Sequence, residues 1–210
     1  MSFKLFSTLE VVKSTHNGEI KVIKDLQGIR IIVGGISQSG WLVREVWETG
    51  VRAVAKEITS PEKVLILGLG GGSAVEAVAK QWKNAKIIGV DIDVQMVEMG
   101  KKYLGLGKFE QLDIIITDAK SWVKRQKLEY DVVLVDMFKG VNIPEYFKSE
   151  KYLNEVKKIV KSKGVVLFNH LYSSSEKEEA LNLQNKLQKI FKKVVNIYPE
   201  ANIIFLNIKD

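Results

Sequence analysis

The chain has no cysteine, only three prolines, only two histidines and just four arginines among its 32 basic residues. Without cysteine there can be no disulfide, no thiolate nucleophile and no thiolate-bound metal. The two histidines, His16 and His170, are too few and too far apart to suggest a metal site. No apolar run approaches the roughly 20 residues that a membrane-spanning helix requires. The first six residues, Met1 to Phe6, run directly into polar sequence and lack the apolar core of a signal peptide. These absences lead to the expectation of a cytoplasmic protein without membrane contact.

What is present is an ordinary globular composition, 46% hydrophobic and 27% charged. At 210 residues the chain can hold one α/β domain and a small appendage, with a core large enough to need no covalent staples. The formal net charge is +7, and from Met137 onward 13 lysines face 8 acids. Such an excess is compatible with nucleic-acid binding. The last third contains no arginine, and arginine forks with stacking aromatics usually mark such surfaces. A solvated, lysine-rich helical surface is the favoured reading, and nucleic acid is not a favoured partner.

Residues 1–60 read as a small β region with a connecting helix. Short strand-like runs at Thr8–Ser14 and Glu19–Lys24 flank His16-Asn17-Gly18, and Asn-Gly is a strong hairpin signal. A third run covers Ile29–Val33, Gly34 to Gly40 reads as a loop, and Trp41 to Ile58 has the apolar spacing of a helix. Residues 61–210 alternate. Strands are expected at Lys63–Leu67, Lys86–Asp91, Leu112–Ile116, Asp131–Asp136 and Gly164–Asn169. Helices are expected at Ala74–Trp82, Val94–Leu104, Ala119–Lys127, Pro144–Ser162 and Glu176–Lys192. Alternation of this kind implies a parallel sheet covered on both faces. The last two runs, Val194–Tyr198 and Asn202–Ile208, are joined by Pro199-Glu200-Ala201. A connection that short forces an antiparallel pair. A mostly parallel seven-stranded sheet closed by an antiparallel C-terminal hairpin, with a small N-terminal β appendage, is the Rossmann-like architecture of S-adenosylmethionine-dependent methyltransferases.

Four features at strand ends carry chemistry. The first strand runs into Gly68-Leu69-Gly70-Gly71-Gly72, where a side-chain-free backbone can approach a ligand at a helix N-terminus. Ser73 and Glu76 fit a capping box. Asp91 ends the second strand, where a carboxylate can bind both hydroxyls of a ribose, while Asp93 is read as the cap of the next helix. Asp118 follows the third strand as an acceptor for an adenine amine, with the Ala119 amide facing the ring. Asp136 ends the fourth. A dinucleotide-binding dehydrogenase would want Gly or Ala where Ser73 stands, and it gives no reason for Asp118 or for the C-terminal hairpin. His170, after the fifth strand, is a candidate base, although a lone histidine is more often a hydrogen-bonded loop residue. Trp41 and Trp47 could line a pocket or simply pack.

These motifs, with Gly35-Ile36-Ser37-Gln38, Val90-Asp91-Ile92-Asp93, Thr117-Asp118 and Tyr146-Phe147-Lys148-Ser149-Glu150-Lys151-Tyr152-Leu153, follow an order that resembles the spermidine synthase family over nearly the whole chain. The resemblance implies that Gln38, Gly68, Gly70, Gly72, Asp91, Ile92, Asp118, Ala119 and Asp136 bind S-adenosylmethionine or its decarboxylated form. It also implies dimer contact through the N-terminal strands. Two departures bear on the reaction. The family carries an Asp where this chain has Gly71; that carboxylate suits a cationic aminopropyl group and repels the carboxylate of intact S-adenosylmethionine. The family motif after the fourth strand has its proton-accepting Asp where this chain has Lys139, which would repel a polyamine. The Tyr-Gln pair of the connecting helix is replaced as well, that region reading Trp47-Glu48-Thr49. The expectation is therefore a methyl-transferring relative with an unknown acceptor. The alternatives are an aminopropyltransferase using Asp136 or His170 as base, and a catalytically silent nucleoside-binding protein.

Overall fold

A computed structural model describes residues 6–210; Met1 to Leu5, most of the stretch on which the expected lack of a leader rests, lie outside the described residues. The chain first builds an antiparallel meander from β1 (Phe6–Ser14), β2 (Gly18–Asp25), β3 (Gly28–Val33) and β4 (Ile36–Gly40), in spatial order β1-β2-β3-β4. The last of these corrects the sequence reading, which made Gly34–Gly40 a loop. Gly34 and Gly35 both have positive φ, 57° and 84°, so two residues suffice for the hairpin. Ile36–Gly40 then returns along β3. Ser37, Gln38 and Ser39 hide this strand because polar residues carry no alternating pattern.

Helix α1 (Trp41–Val54) follows at once and ends four residues short of the expected Ile58. Ile58 still packs on the core from the turn beyond the helix, which is why its spacing looked helical. Seven further strands form one sheet in the order β10-β11-β9-β8-β5-β6-β7. They are β5 (Lys63–Leu67), β6 (Lys86–Asp91), β7 (Leu112–Ile116), β8 (Tyr130–Val135), β9 (Val160–Leu171), β10 (Lys193–Ile197) and β11 (Asn202–Ile208). The first five are parallel, while β11 pairs antiparallel with both β9 and β10. The expected architecture is thus the observed one.

Successive side chains of a central strand point to opposite faces, and both faces here are covered. Val64 and Ile66 of β5 enter a core with α1 and α2 (Ser73–Gln81), through Val46, Trp47, Val75 and Val78. Leu65 and Leu67 face a second core with α4 (Ala119–Arg125), α5 (Glu150–Lys158) and α6 (Lys177–Ile190). The expected helix from Pro144 to Ser162 splits into a 3-10 turn, Glu145–Lys148, and α5, because Ser149 accepts the Tyr152 amide and restarts the helix. The strand after it also begins earlier than expected, at Val160. The meander packs Ile20, Val22, Ile31 and Val33 against Met96 and Met99 of α3 (Val94–Leu104). Among the described residues no helix is long and apolar enough to cross a membrane.

Strand β5 sits where the chain order reverses, with β6 on one side and β8 on the other. Open α/β sheets bind ligands in the crevice beyond the carboxyl ends of the strands at such a point. The meander and the start of α1 lie over that crevice.

Candidate functional site

The loop from β5 to α2 owes its shape to backbone crowding. At Gly68, φ is 84° and an added Cβ would come within 2.1 Å of the Asp136 carbonyl oxygen, so no side chain fits. Gly71 is closed by its neighbours: a Cβ there would meet the Ile31 side chain at 2.7 Å and Ser39 Cβ at 2.8 Å. The Gly70 amide donates to Asp91 Oδ2 at 2.7 Å and the Gly71 amide to Ser39 Oγ at 2.7 Å. Helix α3 packs so closely beneath the loop that a Cβ on Gly100 would stand 2.7 Å from Gly71 Cα.

The expected capping box does not form. Gly72 is the N-cap of α2 and Ser73 is its first helical residue. Ser73 Oγ accepts the Gly40 amide at 2.9 Å, and Glu76 pairs with Arg44 at 3.2 Å. Both residues tie the loop to the end of the meander and to α1, a use that local spacing cannot reveal.

Three carboxylates stand at the ends of consecutive parallel strands. Asp91 accepts the Asp93 amide on Oδ1 at 2.8 Å and the Gly70 amide on Oδ2. Burial raises its pKa above the usual carboxylate value, against the pull of those amides. Each oxygen keeps a second lone pair. Asp93 is the helix cap, as expected, accepting the Gln95 and Met96 amides. Asp118 accepts the Lys120 amide and the Ser121 hydroxyl, each at 3.0 Å, and caps α4.

Asp136 differs from the other two in that both of its hydrogen bonds come from side-chain N–H donors on distant elements. Trp47 Nε1 donates to Oδ2 at 3.0 Å and Asn169 Nδ2 to Oδ1 at 2.9 Å. Asn169 is itself held by Asn202 Nδ2 at 2.9 Å. Burial lifts the Asp136 pKa to about 6; the two donors oppose that rise and the nearby Asp91 charge adds to it.

These groups converge on a cleft of about 240 Å³. Of the residues expected from sequence, Gln38, Gly68, Gly70, Asp91, Ile92, Asp118, Ala119, Asp136 and Lys139 line it. Gly72 stays behind the loop, where its Cβ position abuts Leu106. Gln38 crosses the cleft wall to donate from Nε2 to the Gly140 carbonyl at 3.0 Å. Lys139 lies exposed on the loop after β8.

His170 lines neither this cleft nor the cavity beside it. It is part of β9 and nearly fully buried. Since Asn169 reaches Asp136, the period of two turns His170 to the opposite face. Its Nδ1 contacts the Leu171 carbonyl at 2.7 Å and burial lowers its pKa. The structure therefore withdraws it as a candidate base in the crevice.

Several residues escaped the sequence reading. Trp47 reads from sequence as packing or pocket wall, yet its indole N–H holds Asp136; Asn169 and Asn202 complete that network. Ser39 braces the glycine loop. The hairpin turn brings the exposed His16, and Asn17, to the edge of the cleft. Asn17 Nδ2 donates to Asp93 Oδ2 at 2.6 Å, and Ser14 Oγ donates to the same oxygen. The helix cap is thus also the latch of the hairpin. None of these pairs shares a local motif, because each joins segments far apart in the chain.

Residues 48–206 match the family model described as the spermine/spermidine synthase domain. The chain is 32% identical over 117 residues to a polyamine aminopropyltransferase of Vibrio vulnificus, covering 54% of this chain and 39% of that protein. It is 30% identical over 150 residues to the eEF1A lysine and N-terminal methyltransferase homolog of Drosophila melanogaster, covering 67% and 22% respectively. The chain therefore spans well under two thirds of either relative. In fold it is similar to the spermidine synthase of Thermotoga maritima, with a TM-score of 0.81, 18% identity, and coverage of 97% of this chain and 73% of that one.

Proposed function

We propose a reaction for this chain from the premise that it belongs to the spermine/spermidine synthase family: transfer of a methyl group from S-adenosylmethionine to an acceptor. The observation that carries the reading is Gly71, whose side-chain space is filled by Ser39 and Ile31. A carboxylate that would repel the donor's own carboxylate has no place there, so intact S-adenosylmethionine can be accommodated. The residues present suit such a nucleoside. Asp91 has lone pairs left for two ribose hydroxyls, Asp118 can accept an exocyclic amine, and the Gly68–Gly70 backbone admits close approach.

A sulfonium supplies an activated methyl carbon, and the protein's part is to align that carbon with the acceptor and to receive a proton. Asp136 is the group suited to the proton. With a pKa of about 6 it is ionised at neutral pH, close enough to its pKa to act as a general base. Lys139, a cation at the mouth of the cleft, adds to the case against a polyamine acceptor.

A second reading, aminopropyl transfer from decarboxylated S-adenosylmethionine, is favoured by the comparisons, since several further relatives bear the aminopropyltransferase name. Calorimetric titration separates the two. Tighter binding of the intact donor is expected. Asp91→Ala should weaken that binding by roughly 10–100-fold, the worth of one or two charge-assisted hydrogen bonds. Tighter binding of the decarboxylated donor would return the protein to polyamine chemistry. Binding without turnover of any acceptor would leave a silent nucleoside-binding protein.

A further inference from the structure

Beside the donor cleft lies a second cavity of about 260 Å³ that shares Gln38, Val43, Asp136 and Phe138 with it. Its remaining walls come from Gly35 and the start of β4, α1, the end of β9 and the β10–β11 turn. Ile36, Leu42, Val46 and Leu171 make most of it apolar. Among its lining residues Asp136 is the only ionisable one. The neutral polar side chains are already engaged. Asn202 donates to Asn169, Asn169 to Asp136, and Gln38 to the Gly140 carbonyl. Ser37 Oγ accepts from Arg30 Nη1 at 3.0 Å, so this hydroxyl is engaged as well, by a guanidinium. Arg30 also pairs with Asp25 at 2.6 Å, so its charge is partly offset.

A polyamine carries a cation at each end, and a buried cation without a counter-charge is costly. This cavity has one carboxylate, at the donor end, and an apolar remainder. We infer that it takes an acceptor of a different class: a monoamine with an apolar alkyl or aryl body, its nitrogen at Asp136 and its body between Ile36, Leu42, Val46 and Leu171. The inference rests on the methyl-transfer reading. In the step it implies, the nitrogen lone pair forms the bond to the methyl carbon, and the carbon–sulfur bond breaks with its electron pair returning to sulfur. The proton lost from nitrogen goes to Asp136 and from there to solvent.

The test measures release of S-adenosylhomocysteine from the full chain, with saturating S-adenosylmethionine and hexylamine, 2-phenylethylamine, putrescine or spermidine as acceptor. The expected result is a kcat/KM at least about tenfold higher for the monoamines, whose apolar bodies leave water without bringing a second ammonium into the cavity. Leu42→Glu should reverse that order while leaving donor affinity within about twofold. Preference for putrescine in the unaltered protein overturns the inference. If only the decarboxylated donor turns over, the methyl-transfer reading fails, and the same acceptor series run with that donor decides the acceptor class separately. If neither donor turns over, methyl resonances of Leu42, Val46 and Leu171 are followed during titration with hexylamine and then putrescine. Shifts with hexylamine alone support the assignment; shifts with putrescine alone, or with neither amine, sink it.

Discussion

Strand β8 begins and ends beside an aspartate, and the two live under opposite regimes. At the amino end, Asp131 meets Lys161 Nζ at 2.8 Å and accepts the amides of Lys63 at 2.8 Å and Glu62 at 3.1 Å. Burial alone would push its pKa up, but the ammonium and the two amides outweigh burial and hold it below the usual value. At the carboxyl end, Asp136 is desolvated among neutral donors and, among the described residues, pairs with no cation, so burial wins and the pKa climbs to about 6. Both carboxylates are hydrogen-bonded, but Asp136 is the more deeply desolvated of the two and lacks the ammonium partner that Asp131 has. An acid satisfied by a cation is a fixed anion, and here it ties the amino ends of the central strands β5, β8 and β9 together. One satisfied by an indole and an amide can exchange a proton near neutrality.

The contrast can be broken most forcefully by exchanging each acid for its amide. Asp136→Asn should lower kcat by about 10²–10⁴-fold, the usual weight of a general base, with donor affinity nearly unchanged. Asp131→Asn should leave kcat within about twofold. Equal losses at the two positions would end the distinction. Asp131→Ala, by contrast, should cost roughly 1–3 kcal/mol of unfolding free energy by leaving two amides without their acceptor, read from denaturant midpoints.

A subtler measurement uses pH. If Asp136 must be ionised, kcat/KM rises through a midpoint at about pH 6 and then levels. Trp47→Phe removes a donor that stabilises the anion, so the midpoint should move upward, by on the order of half a unit to one unit. The stability signs are opposite at the two ends. Asp136, with its pKa raised on folding, contributes fully below about pH 4 and loses that contribution as pH rises through about 6. Asp131, with its pKa lowered, contributes above the ordinary carboxylate range and loses it as pH falls below that range. The smallest expected effect is that of Lys139→Ala. This side chain is exposed, and its removal should change donor affinity by no more than about threefold, while relaxing discrimination against cationic acceptors.

The gathering of these strand-end residues around one cleft was legible in the sequence because its parts are local. Gly68–Gly72, Asp91, Asp118 and Asp136 each follow an apolar run of strand length, and chain order maps onto the order of strand ends. The second cavity is assembled from five segments between Gly35 and Asn202, and no spacing rule connects them. Trp47 shows the limit clearly. At helical spacing among Val46, Val51 and Val54 it reads as core, which it also is, and its single polar atom finds Asp136 only once α1 lies over the sheet. His170 failed for a related reason: periodicity located a strand end there, but β9 runs on to Leu171, so the residue counted as beyond the strand is buried within it.

The contact between the glycine loop and α3 has an evolutionary corollary. With Gly100 against the Gly71 backbone on one side and Ser39 on the other, a side chain added at position 71 or 100 forces its neighbours to shift. Among related chains, an acid at position 71 should coincide with a smaller or displaced neighbour at position 39, and a side chain at position 100 with a shifted helix. A lineage could cross between the two donor preferences only by passing through paired substitutions, and covariation of 39, 71 and 100 would be the record of that passage.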